Sequence, residues 1–81
     1  MDFNYDLFET VVITANMPDH GVLAGDLGAV VDVHSRPQRA YEVEFVNPDG
    51  TTRALLTLAP SQIRKLSLGD VLTTRQLPLA A

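Results

Sequence analysis

An all-β fold, a small five-stranded barrel with a short helical turn before its last strand, is predicted by three features of this chain. Runs rich in β-branched and aromatic residues recur at 7–14, 29–34, 41–46 and 54–58, each too short for a helix. Turn residues separate them: Pro18-Asp-His-Gly21, Gly25-Asp-Leu-Gly28 and Asn47-Pro-Asp-Gly50. The chain has 81 residues, enough for one core and no more.

Strand one is expected at 7–14, followed by a loop over 15–24 long enough to act as a binding element. Gly25 and Gly28 bracket a tight turn into strand two, residues 29–34, whose alternation favours Ala29, Val31 and Val33 as the core face. After the polar loop 35–39, strand three is the cleanest signal: Tyr41, Val43 and Phe45 inward, Glu42 and Glu44 outward. Asn47-Pro-Asp-Gly50 reads as a type I turn, and a four-residue loop pairs Val46 with Thr51. That register sets Phe45 opposite Thr52, Glu44 opposite Arg53, Val43 opposite Ala54 and Tyr41 opposite Leu56.

Residues 59–63 read as one helical turn with Ser61 as its cap and Ile63 as a plug beneath the barrel. Strand five follows at 64–68, so the barrel spans 7–68 and a tail spans 69–81. Leu72, Leu77 and Leu79 make that tail apolar and Pro78 interrupts it. It is either frayed or packed on another surface, with disorder the default for a terminus.

Composition bounds the function. With no cysteine there is no disulfide framework, thiolate metal site or cysteine nucleophile. The acidic, polar first residues do not resemble a signal peptide, and no apolar run approaches the ~20 residues that span a bilayer. A cytoplasmic protein without membrane association is expected. The net charge of −4 divides unevenly, since residues 1–35 carry no Lys or Arg and all six basic residues follow Arg36 inclusive. Pairing of strands from the two halves is expected to mix these charges on the surface.

Candidate chemistry is sparse. A metal site needs three or four ligands, whereas the chain offers His20, His34 and scattered carboxylates; Asp32 and His34 share a strand face, and two outward surface residues account for them. No nucleophile elbow is present, and a barrel filled by side chains leaves little room for a pocket, so no catalytic residue, metal or cofactor is expected. Nucleic-acid binding would require clustered basic residues, for which Arg36, Arg39 and Arg53 are the candidates as a small rim. The acidic balance and the expected placing of Phe8, Tyr41 and Phe45 in the core argue against it. Proline-rich peptide recognition needs an aromatic groove, for which Tyr5 and Phe8 are the candidates, but the absence of Trp argues against it.

The residues Val11-Val12, Pro18-Asp-His-Gly21, Gly25-Asp-Leu-Gly28-Ala-Val-Val, Tyr41-Glu-Val-Glu-Phe45, Asp49-Gly50, Leu55-Leu-Thr-Leu58 and Gln62-Ile63 resemble an uncharacterised bacterial domain-of-unknown-function family of small SH3-like barrel proteins. More faintly, Gly-x-x-Gly-x-Val resembles the KOW motif of transcription and ribosomal proteins, and with Tyr-x-Val-x-Phe the barrel of the nitrile hydratase β subunit. These are turn and core positions, so the resemblance implies an SH3-like fold and is nearly silent on chemistry.

The function expected is therefore a non-catalytic protein–protein interaction module, antitoxin-like, immunity-like or an enzyme accessory protein, acting as a monomer or homodimer. The alternatives are KOW-like nucleic-acid binding and a non-catalytic subunit of a larger enzyme. The candidate partner-binding residues are Asp19 and His20 in the first loop, Arg36 and Arg39 in the second, and Leu77 and Leu79 in the tail.

Overall fold

In the computed structural model, which describes residues 4–77, five antiparallel strands form one sheet in the order β4-β3-β2-β1-β5. They are β1 (Thr10–Ile13), β2 (Leu27–His34), β3 (Ala40–Val46), β4 (Thr52–Leu58) and β5 (Ile63–Lys65). Two single 3-10 turns, Pro18–His20 and Pro60–Gln62, interrupt the connections. The class is thus all-β and barrel-like, as the strand and turn pattern predicts. No helix among the described residues is long and apolar enough to cross a membrane.

The core is built from alternation. Tyr41, Val43 and Phe45 of β3 are fully buried, joined by Val11, Ile13, Val22, Val30, Leu58 and Ile63. Each such side chain contributes about 1.5–3 kcal/mol by leaving water, so a small barrel depends on every one. Ile63 seals the core as expected.

The inward face of β2 differs from the expected one. Ala29 pairs with Glu44 and Val30 with Val43, but Asp32 pairs with Glu42 and Val33 with Tyr41, leaving Val31 as an inserted residue. This bulge switches the alternation midway, so Gly28, Val30 and Val33 face the core, rather than Ala29, Val31 and Val33.

The β3–β4 register also differs. Phe45 lies opposite Ala54, Glu44 opposite Leu55, Val43 opposite Leu56 and Tyr41 opposite Leu58. Two irregularities produce the shift. The Asn47 N–H donates to the Thr51 carbonyl (2.8 Å) and Gly50 sits at φ 89°, giving a three-residue loop rather than a four-residue one. Arg53 is then a second inserted residue between Val46↔Thr52 and Phe45↔Ala54. The expected Glu44–Arg53 pair is consequently replaced, with Glu44 accepting from the Thr52 hydroxyl at 2.6 Å.

Strand one is shorter than predicted because residues 6–9 turn, the Glu9 N–H donating to the Asp6 carbonyl, with Phe8 at φ 67°. Phe8 is 78% exposed instead of buried. Tyr5 takes the core position, edge-on to Tyr41 with ring centroids 5.1 Å apart, its hydroxyl donating to the Ile63 carbonyl at 3.0 Å. The Pro60–Gln62 turn is capped by Gln62, whose Oε1 accepts the Ala59 N–H (2.8 Å), and not by Ser61. Strand five stops at Lys65 because Ser67 to Asp70 forms a turn, the Asp70 carboxylate accepting the Ser67 N–H and a two-pronged contact from Arg64.

Candidate interaction site at one end of the barrel

Asp26 is placed by the turn that opens β2. Its backbone N–H donates to the Leu23 carbonyl (3.0 Å), its Oδ2 accepts the Leu23 N–H (3.0 Å), and its carbonyl accepts the Ile13 N–H (2.9 Å). The carboxylate is therefore held before any partner arrives. Arg53 reaches it from β4, because the bulge there re-aims that side chain. Its Nη1 donates to the Val46 carbonyl (3.1 Å), and its Nη2 lies 3.5 Å from Asp26 Oδ2. The Arg53 Nε is buried and makes no hydrogen bond among the described residues.

Arg75 arrives from the tail, 49 residues later in the chain. Its Nε donates to Asp26 Oδ1 (3.0 Å), and its Nη2 donates both to Oδ2 and to the Gly21 carbonyl (3.0 Å). Asp26, with only 15% of its side chain exposed, thus sits between two guanidinium groups. Burial pushes its carboxyl pKa up, but hydrogen bonds from Arg75 and Leu23 and the charges of both arginines outweigh it and hold the group below the usual range. The same contact raises the Arg75 guanidinium pKa.

Beside this cluster the β2–β3 register, carried on two residues from Ala29↔Glu44, brings Leu27 next to Val46. Together with Val71 and Leu72 they line a groove of about 310 Å³. Val71 is 83% exposed and Leu72 66%. A wider cleft of about 1180 Å³ adjoins it, between the β3–β4 turn and residues 73–77.

The residues singled out from sequence are divided between the two ends of the barrel. Asp19 and His20 are exposed on the Pro18–His20 turn, next to Gly21 and so close to the Arg75 contact. Leu77 is half-buried there, its Cδ2 3.9 Å from where a Cβ on Gly21 would stand. Leu79 lies outside the described residues. Arg36 and Arg39 belong to the loop joining the far ends of β2 and β3, where Arg39 donates to Asn4 Oδ1 and the Tyr41 hydroxyl. The candidate basic rim of Arg36, Arg39 and Arg53, already disfavoured by the acidic balance, is not formed, since Arg53 turns to the opposite end.

His34 does not face the Asp32 carboxylate, which caps the Val33 N–H; it contacts Glu42 at 3.1 Å. No group of three or more His, Cys, Asp or Glu that could hold a metal occurs among the described residues. The arrangement at the Asp26 end is suited to holding charged and apolar groups of a ligand. Sequence reading missed Asp26, Arg53 and Arg75 as a set. The available signal was Arg75 itself, a lone charge in an otherwise uncharged stretch from 71 to 81.

The fold and this end of the molecule define a small all-β domain with a strapped polar cluster. Residues 7–65 match the family described as Domain of unknown function (DUF4926), and the chain belongs to it. No match was found among curated proteins or among solved structures.

Proposed function

We propose that this chain is a non-catalytic interaction module that binds another protein at the Asp26 end of an SH3-like barrel. The observation that carries this reading is the gathering of Leu27, Val46, Val71 and Leu72 around one groove while the core positions are already filled. Exposed apolar side chains grouped in this way, rimmed by Asp26, Arg53 and Arg75, have the anatomy of a protein interface with an apolar centre and a polar edge. An antitoxin-like, immunity-like or enzyme-accessory role in the cytoplasm suits a small acidic protein of this kind. The separation of Arg53 from Arg36 and Arg39 leaves nucleic-acid binding with less support.

The untagged protein purified from its own cell lysate at gentle salt should carry a stoichiometric partner. The exposed double variant Val71→Asp with Leu72→Asp should release that partner with an unchanged melting temperature. Recovery of only free protein would count against this function.

A further inference from the structure

We propose that the Asp26 carboxylate and the Gly21 carbonyl form a socket for an arginine carried on an Arg-x-Leu segment. The chain's own Arg75-Gln76-Leu77 occupies it at rest, and an equivalent segment of a partner protein takes its place on binding. The inference deepens the interaction-module reading and rests on it, adding the chemistry of the partner. The tail itself displays the recognition. A planar guanidinium engages both carboxylate oxygens and one backbone carbonyl, a geometry that lysine's single ammonium does not reproduce. Two residues on, Leu77 approaches the same Gly21.

Three features make the segment exchangeable. Residues 73–77 form no strand or helix, so no ladder of backbone bonds holds them, and their departure leaves Val71 and Leu72 in the groove wall. Asp26 is fixed by Leu23 and Ile13 independently of the tail, so the acceptor is ready whichever segment supplies the arginine. Partly exposed ion pairs are worth little alone, and a partner segment that also covered Leu27 and Val46 would gain apolar burial beyond the cluster. The tethered tail still competes, at an effective concentration on the order of millimolar, so a partner segment meets a partly closed site.

The test uses the full chain and a fluorescently labelled, end-capped peptide of residues 73–77. Arg75→Ala, whose tail lacks the competing guanidinium, should bind the peptide saturably and about tenfold or more tightly than the unaltered chain, with affinity falling as salt rises. A peptide with citrulline in place of arginine keeps the shape without the charge and should lose binding. Asp26→Asn should do the same, and the citrulline peptide keeps the test decisive if that variant fails to fold.

Equal binding of the arginine and citrulline peptides would overturn the socket, as would no binding to folded Arg75→Ala. Equal affinity of the unaltered and Arg75→Ala chains would overturn the tail's role as resting occupant. A full-chain dimer in sedimentation that dissociates on Arg75→Ala would assign the socket to a second copy and overturn the assignment to another protein. Failure of the peptide leaves the lysate experiment standing, since Val71→Asp with Leu72→Asp probes the apolar groove without the socket.

Discussion

Gly28 marks how tightly single atoms are packed in this barrel. A Cβ there would stand 2.5 Å from Val43 Cγ1 and 3.1 Å from the Glu44 carbonyl oxygen, one a buried side chain and the other backbone of the paired strand. Gly28→Ala should therefore destabilise by about 1–3 kcal/mol, read as a lower urea midpoint with an unchanged slope. An unaltered midpoint would mean that β3 can retreat from β2 at no cost. Phe45 is fully buried against the same glycine position, and Phe45→Ala should cost about 3–5 kcal/mol by the same measurement. Phe8, of the same residue type, is exposed and should tolerate alanine with little change in midpoint. Sequence composition does not distinguish these two phenylalanines; the turn at residues 6–9 does.

Among the elements, the β3–β4 hairpin shows how turn chemistry propagates. Gly50 at φ 89° closes the loop, and a Cβ there would meet nothing within 4 Å, so any penalty belongs to the backbone alone. Gly50→Ala should cost about 1–2 kcal/mol in thermal or urea unfolding, while Gly69→Ala, which also meets nothing within 4 Å, should be near neutral. Equal effects at the two sites would remove the left-handed conformation as the cause. The loop length displaces the register by one residue and the Arg53 bulge by one more, so from Ala54 onward the total shift of two returns the β4 side chains to their expected faces. That is why the binary pattern of the hairpin was readable while every residue pair in it was displaced. The bulge also has a functional consequence, because it is the inserted residue that reaches Asp26.

Charges that lie far apart in the chain are brought together in the whole molecule. Glu9 meets Lys65 and Asp26 meets Arg53 and Arg75, so basic residues of the second half pair with two carboxylates of the acidic first. Asp26 and Asp70 both have carboxyls held below the ordinary range, Asp70 chiefly by the Arg64 guanidinium and the Ser67 N–H. A depressed native pKa means that the unfolded chain binds more protons. The stabilisation is full above the unfolded value of about 3.9 and is lost as pH falls through the native values. The melting temperature should therefore hold between about pH 7 and 5 and decline below about pH 4. The double variant Asp26→Asn with Asp70→Asn should start lower at neutral pH and decline less steeply. A parallel acid limb in that variant would assign acid sensitivity to other carboxylates.

Sequence was sufficient for the all-β class, the turns at Pro18–Gly21 and Asn47–Gly50, and the inward set Tyr41, Val43 and Phe45. Each rests on local rules, a two-residue period or the φ preferences of Gly and Pro, which operate without knowledge of distant residues. The inward face of β2, the β3–β4 partners and the exchange of Tyr5 for Phe8 in the core emerged only on folding. A bulge is an adjustment between two strands and leaves no period of its own. The Asp26–Arg53–Arg75 cluster belongs with these, since it joins a turn, a bulged strand and a tail separated by up to 49 residues. Contacts of that span are set by how the strands close upon one another, which is why loops and tail could be named as candidates while the residues that meet there could not.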